Sequence, residues 1–138
     1  MGDEETMATF RVMDLVDVSV PLPAQHAVVL LAEAEAPHRS YSFPIGLAEG
    51  AALMAAVERS AGARPSTHEL FAQVLAHLSA DVIAVRLVEE HDGVVHAELD
   101  LMTRQGREVL ECRPSDGLIL AVRQGVRAPI LLDERLFG

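Results

Sequence analysis

Two short polar turns, His91-Asp92-Gly93 and Arg104-Gln105-Gly106, lie one strand's length apart, and each separates runs rich in aliphatic residues. Turns this short join antiparallel neighbours, whereas parallel strands need a crossover of about a dozen residues. Runs 82–90, 94–103 and 107–112 are therefore predicted to form consecutive hairpins, which rules out a plain alternation of strand and helix. Upstream, Pro21-Leu22-Pro23 divides two more strand-like runs, 10–20 and 27–36, and residues 40–45 make a third. Pro129-Ile130-Leu131-Leu132 gives a last short strand.

The period changes to that of a helix in three places. Over Gly46 to Ser60, Gly50, Leu53, Met54, Val57 and Ala61 fall on one stripe. A second helix opens at Ser66 or Thr67, with Leu70, Phe71, Val74, Leu75 and Leu78 as its core-facing stripe and Ser66 with Glu69 as a capping box. The third, about Ser115 to Gln124, is apolar all round and is expected to be buried. The reading is an α+β domain with a mixed, mostly antiparallel sheet and about three helices. It spans residues 10–138 behind a flexible acidic tail, 1–9.

Charge narrows the function. Eleven Lys and Arg against 21 Asp and Glu give a net charge of −10, which disfavours tracking along nucleic-acid phosphates. Aromatic residues are 4% with no Trp, so extended base-stacking platforms are not expected. Cys112 is the only cysteine; it excludes an internal disulfide and reads as a buried strand residue. No apolar run is long enough to span a bilayer and the acidic start lacks a basic flank, so a soluble, cytoplasmic protein without membrane partners is expected.

Two copies of Arg-Pro-Ser, at Arg64-Pro65-Ser66 and Arg113-Pro114-Ser115, stand directly before the second and third helices. Pro keeps the preceding residue out of the helix and Ser can accept from an orphan N–H, so each makes a sound helix start. An arginine beside a positive helix end can equally complete an anion site. In that second reading Arg64, Thr67, Arg113 and Ser115 hold phosphate oxygens. His68, in the first turn, is a candidate general base, because the helix dipole disfavours its protonated form. Asp116 holds the matching place on the third helix, and Glu49 flanks the stripe of the first. A third reading pairs Arg64 and Arg113 with local carboxylates for structure alone. On strand 94–103, His96, Glu98 and Asp100 share one face, either as a solvated surface or as donors to a divalent cation. No Gly-rich nucleotide loop, zinc-protease pair or serine elbow is present.

Four stretches in order resemble the bifunctional nuclease family: Ile45-Gly46 with Glu49-Gly50; Arg64-Pro65 with Thr67-His68 and Leu70; Arg113 to Asp116 leading into Ile119 to Arg123; and Ala128-Pro129-Ile130. The chain departs from the family where Tyr41-Ser42-Phe43-Pro44 replaces a Leu-Pro-Ile-aromatic pattern, and where Glu69 replaces a common Asp. The resemblance implies an α+β fold that self-associates, a dimer being favoured, and hydrolysis of phosphodiester bonds in DNA and RNA. If that chemistry holds, His68, Asp116 and Glu49 are the catalytic candidates. Asp100, Asp116 and Glu49 are then the carboxylates that could hold Mg or Mn. The competing expectation is a non-enzymatic oligomer binding a small anion or a partner protein at the two Arg-Pro-Ser helix starts.

Overall fold

The structure is a computed structural model that describes residues 9–60, 62 and 64–138. The acidic stretch 1–8 and Ala61 of the first helical stripe lie outside the described residues. Seven strands form one sheet: β1 Phe10–Ser19, β2 Ala27–Glu33, β3 Ser40–Ile45, β4 Asp81–His91, β5 Val94–Thr103, β6 Gly106–Cys112 and β7 Ile130–Asp133. The predicted hairpins are present as two antiparallel meanders, β1-β2-β3 and β4-β5-β6. The order across the sheet is β3-β2-β1-β7-β4-β5-β6. Thus the last strand joins the meanders, antiparallel to β1 and parallel to β4.

Helices α1 (Leu47–Glu58), α2 (Thr67–His77) and α3 (Pro114–Val122) follow the predicted order. Helix α3 is the centre of the core: Leu118 to Val122 are all buried, as their unbroken apolar run required. It lies so close to β4 that a Cβ on Gly117 would stand 2.6 Å from Val85 Cγ2. Helix α1 approaches β2 in the same way, a Cβ on Gly50 falling 2.5 Å from that of Ala27. Both glycines serve close packing rather than a turn.

The expectation for α2 is corrected. Only Leu75 of its apolar stripe is buried, while Leu70, Phe71, Val74 and Leu78 are exposed. Periodicity told which residues share a face, not what covers that face. Met54 on α1 is likewise exposed. Among the described residues no helix is long and apolar enough to cross a membrane.

Arginine–carboxylate clamps brace the sheet. Buried Glu33 accepts from Arg11 Nε at 2.6 Å and from Arg39 Nε at 3.0 Å. Buried Asp100 accepts from Arg86 at 2.7 Å and from Arg107 at 2.8 Å. Arg39 above all, with Arg11, holds the Glu33 carboxyl down from its ordinary 4.5 to about 2, although burial works the other way.

A lowered native pKa contributes stability that is complete above the unfolded value and is lost as pH falls toward the native one. Thermal unfolding should therefore show a melting temperature that drops between pH 4.5 and about 2, the window set by Glu33. Glu33→Gln should start lower and lose less over that range. Gly117→Ala, which forces a methyl against Val85, should cost about 1–3 kcal/mol in denaturant unfolding.

Candidate active site

The two Arg-Pro-Ser copies are used in different registers. In the first, Ser66 is the N-cap of α2: its Oγ accepts from the Glu69 N–H at 3.1 Å, and Glu69 Oε1 accepts from the Ser66 N–H at 3.0 Å. The predicted capping box is therefore formed. In the second, Arg113 itself is the N-cap of α3, with Pro114 as first helical residue and Ser115 buried behind it. The repeat in sequence is thus offset by two positions in structure. Pro114 suits the first position because its missing N–H has no intrahelical partner there anyway.

The two helix starts meet. Asp116, in the first turn of α3, accepts from His68 Nε2 at 2.8 Å through Oδ1. Arg113 closes on the same carboxylate, Nε to Oδ2 at 2.7 Å and Nη2 to Oδ1 at 3.1 Å. Its remaining nitrogen, Nη1, lies 3.7 Å from Glu49 Oε2 at the start of α1. His68, Asp116, Arg113 and Glu49 therefore form one continuous chain across three helix N-termini. Burial pulls the Asp116 carboxyl up, but hydrogen bonds from Arg113 and His68 outweigh it, and the net pKa lies below the usual range. An ionised Asp116 places the ring proton of a neutral His68 on Nε2. That leaves Nδ1 as the basic nitrogen, with no hydrogen bond to it among the described residues.

Two clefts flank this chain. The one of about 570 Å³ lies beneath α2, bounded by Thr67, His68, Phe71, Leu99, Leu110 and Leu120. The other, about 530 Å³, runs between Ile45 and Glu49 on one side and Val95, His96 and Ser115 on the other. Arg113, Cys112 and Glu111 line both. Cys112 is half-buried rather than buried, and burial followed by the charge of Asp116 pushes its thiol up to about 11. A thiol so hard to ionise is a poor nucleophile at neutral pH.

Not every expected residue joins the site. Arg64 is exposed, and among the described residues no ion pair links it to the group. Thr67 stands exposed at the cleft mouth. Asp100 is on the opposite sheet face from Leu99, and both its oxygens are taken by Arg86 and Arg107. Glu98 pairs with Arg86 there, and His96 faces Glu111 at 3.4 Å. As for a metal, Glu49 and Asp116 both face Arg113, whose charge repels a cation. Among the described residues no three His, Cys, Asp or Glu are grouped to hold one. The donor set does not fit Mg or Mn, and no step is routed through either.

Sequence reasoning missed Phe71, Leu99 and Leu110 as site residues. The signal for one of them was present: strand alternation puts Leu110 on the same face as Cys112, immediately before Arg113. The ion pair between Arg113 and Asp116 follows from their i, i+3 spacing.

Residues 29–138 match the family described as the bifunctional nuclease domain. The chain belongs to that family. It is also similar to two uncharacterised proteins of Mycobacterium tuberculosis, MT1877 of strain CDC 1551 / Oshkosh and Rv1829 of strain H37Rv. Each is 32% identical over 124 residues, covering 90% of this chain and 72% of the relative.

Because Asp116 helps to hold the Cys112 thiol protonated, Asp116→Asn should lower the thiol pKa from about 11. The pH dependence of alkylation at this single cysteine measures it. An unchanged midpoint would contradict the placement.

Proposed function

We propose that the protein hydrolyses phosphodiester bonds of DNA or RNA at the mouth of the larger cleft, with His68 as general base. The observation that carries this reading is the 2.8 Å contact between His68 and Asp116, made across two helix starts in a chain of a nuclease family. Asp116 orients the ring and holds the Nε2 proton, so that Nδ1 takes a proton from the attacking water; as the water oxygen bonds to phosphorus one ester P–O bond breaks, and the leaving oxygen takes the proton back from Nδ1. Arg113 braces Asp116 and offers its outward N–H groups to a phosphate oxygen as charge develops. Glu49 fixes the far side of that guanidinium. The same residues serve a nucleic-acid partner only locally, since the overall charge of −10 opposes a long footprint.

Folded His68→Ala and Asp116→Asn should each lose at least about a hundredfold in cleavage of a short oligonucleotide, the loss expected for general acid–base groups. Wild-type rates in both variants would refute the assignment. Because no step runs through a cation, cleavage should persist in excess EDTA. Its disappearance, with recovery on adding manganese, would contradict these roles.

A further inference from the structure

We propose that the cleft of about 570 Å³ beneath α2 is a nucleobase subsite, so that the site takes a nucleotide or a single strand with one base inserted beside His68. This rests on the phosphodiester reading and names its substrate. A cleft of that size falls within the range of about 300–1,000 Å³ that encloses a small organic ligand. Its lining has two parts. Phe71, Leu99, Leu110 and Leu120 contribute apolar surface, and His68, Asp116 and Arg113, joined to one another by hydrogen bonds, contribute a polar cluster.

A nucleotide has the same two parts, a flat and largely apolar base joined through a sugar to an anionic phosphate. Phe71 is 47% exposed and is the one aromatic among the exposed large apolar residues described. Leu110, 49% exposed, stands on the wall of the same cleft. An aromatic face and an aliphatic wall stack on any base without reading its sequence, which suits one site to both DNA and RNA. The phosphate is assigned to the polar cluster, where Arg113 supplies the positive charge of the lining. The smaller cleft has His96 as its one aromatic ring, facing Glu111 at 3.4 Å, and lacks Phe71, so the base is assigned to the α2 side. Bases paired within a duplex cannot enter without unstacking, so a duplex is the poorer substrate.

The test reads binding and turnover separately. Thermal stability of wild type, Phe71→Ala and Phe71→Tyr is followed against adenosine monophosphate and against ribose 5-phosphate. Cleavage of a single strand is compared with that of its duplex and of an abasic strand. The proposal expects the nucleotide to stabilise the wild type more than the sugar phosphate does. Phe71→Ala should weaken that binding, and raise KM for the single strand, at least about fivefold, the lower end for one stacked base. Phe71→Tyr should restore both, and duplex and abasic strands should be cut more slowly.

Equal stabilisation by sugar phosphate and nucleotide, none by either, or unchanged nucleotide affinity in Phe71→Ala would overturn it. Dissociation of a dimer by Phe71→Ala in sedimentation, with nucleotide binding intact, would also overturn it and assign the surface to a second copy. Phe71-dependent nucleotide binding without cleavage would sink the hydrolytic reading and leave the subsite standing. Cleavage indifferent to the base would do the reverse.

Discussion

Everything at the site depends on how closely α3 lies against β4. Gly117 lets the helix backbone approach Val85, and the buried run from Leu118 to Val122 then fills the space between α1 and the sheet. That contact fixes where the helix begins, and its first turn carries Arg113 and Asp116. Helix α1 lies alongside with its own start at the same end, since Glu49 reaches Arg113. The opposite ends are also tied together. Arg59 donates to the carbonyls of Val122 and Gln124, and Arg127 to that of Val57. Two parallel helices bring like dipole ends together, which is unfavourable unless side chains answer them. Here arginines meet the carbonyl ends, and Glu49 and Asp116 meet the amide ends.

This arrangement explains the electrostatics of a strongly acidic chain. All 11 basic residues are arginine, and most of those described are bound to carboxylates or carbonyl oxygens. Arg113 is one of them, yet its side chain remains 64% exposed and borders both clefts. An arginine that braces a carboxylate and still meets solvent can act on a ligand without leaving its partner. The third sequence reading, arginine paired for structure, therefore holds for the geometry of Arg113 and does not exclude a second role.

Much of the fold was legible because its signals are local. Hairpin turns at 91–93 and 104–106 set the meander, and an apolar run at Leu118 to Val122 announced a buried helix. The α2 stripe was legible as a stripe and misread as core, because amphipathicity is a property of one helix and burial a property of two surfaces. For the same reason Asp100 looked available for a metal: its neutralising arginines lie on β4 and β6, out of sight in β5. His68 and Asp116 could each be picked out from their place in a helix first turn. Their meeting is a tertiary fact, set by how α2 and α3 pack rather than by either copy of Arg-Pro-Ser.

The central claim is that Asp116 holds the His68 ring with its proton on Nε2 and leaves Nδ1 bare. Nitrogen-15 spectra of the histidine side chains at neutral pH test this most directly. The singly protonated His68 ring should carry its proton on Nε2, protected from exchange by Asp116, with the protection lost in Asp116→Ala. A ring protonated on Nδ1, or a His68 signal indifferent to the removal of Asp116, would contradict it.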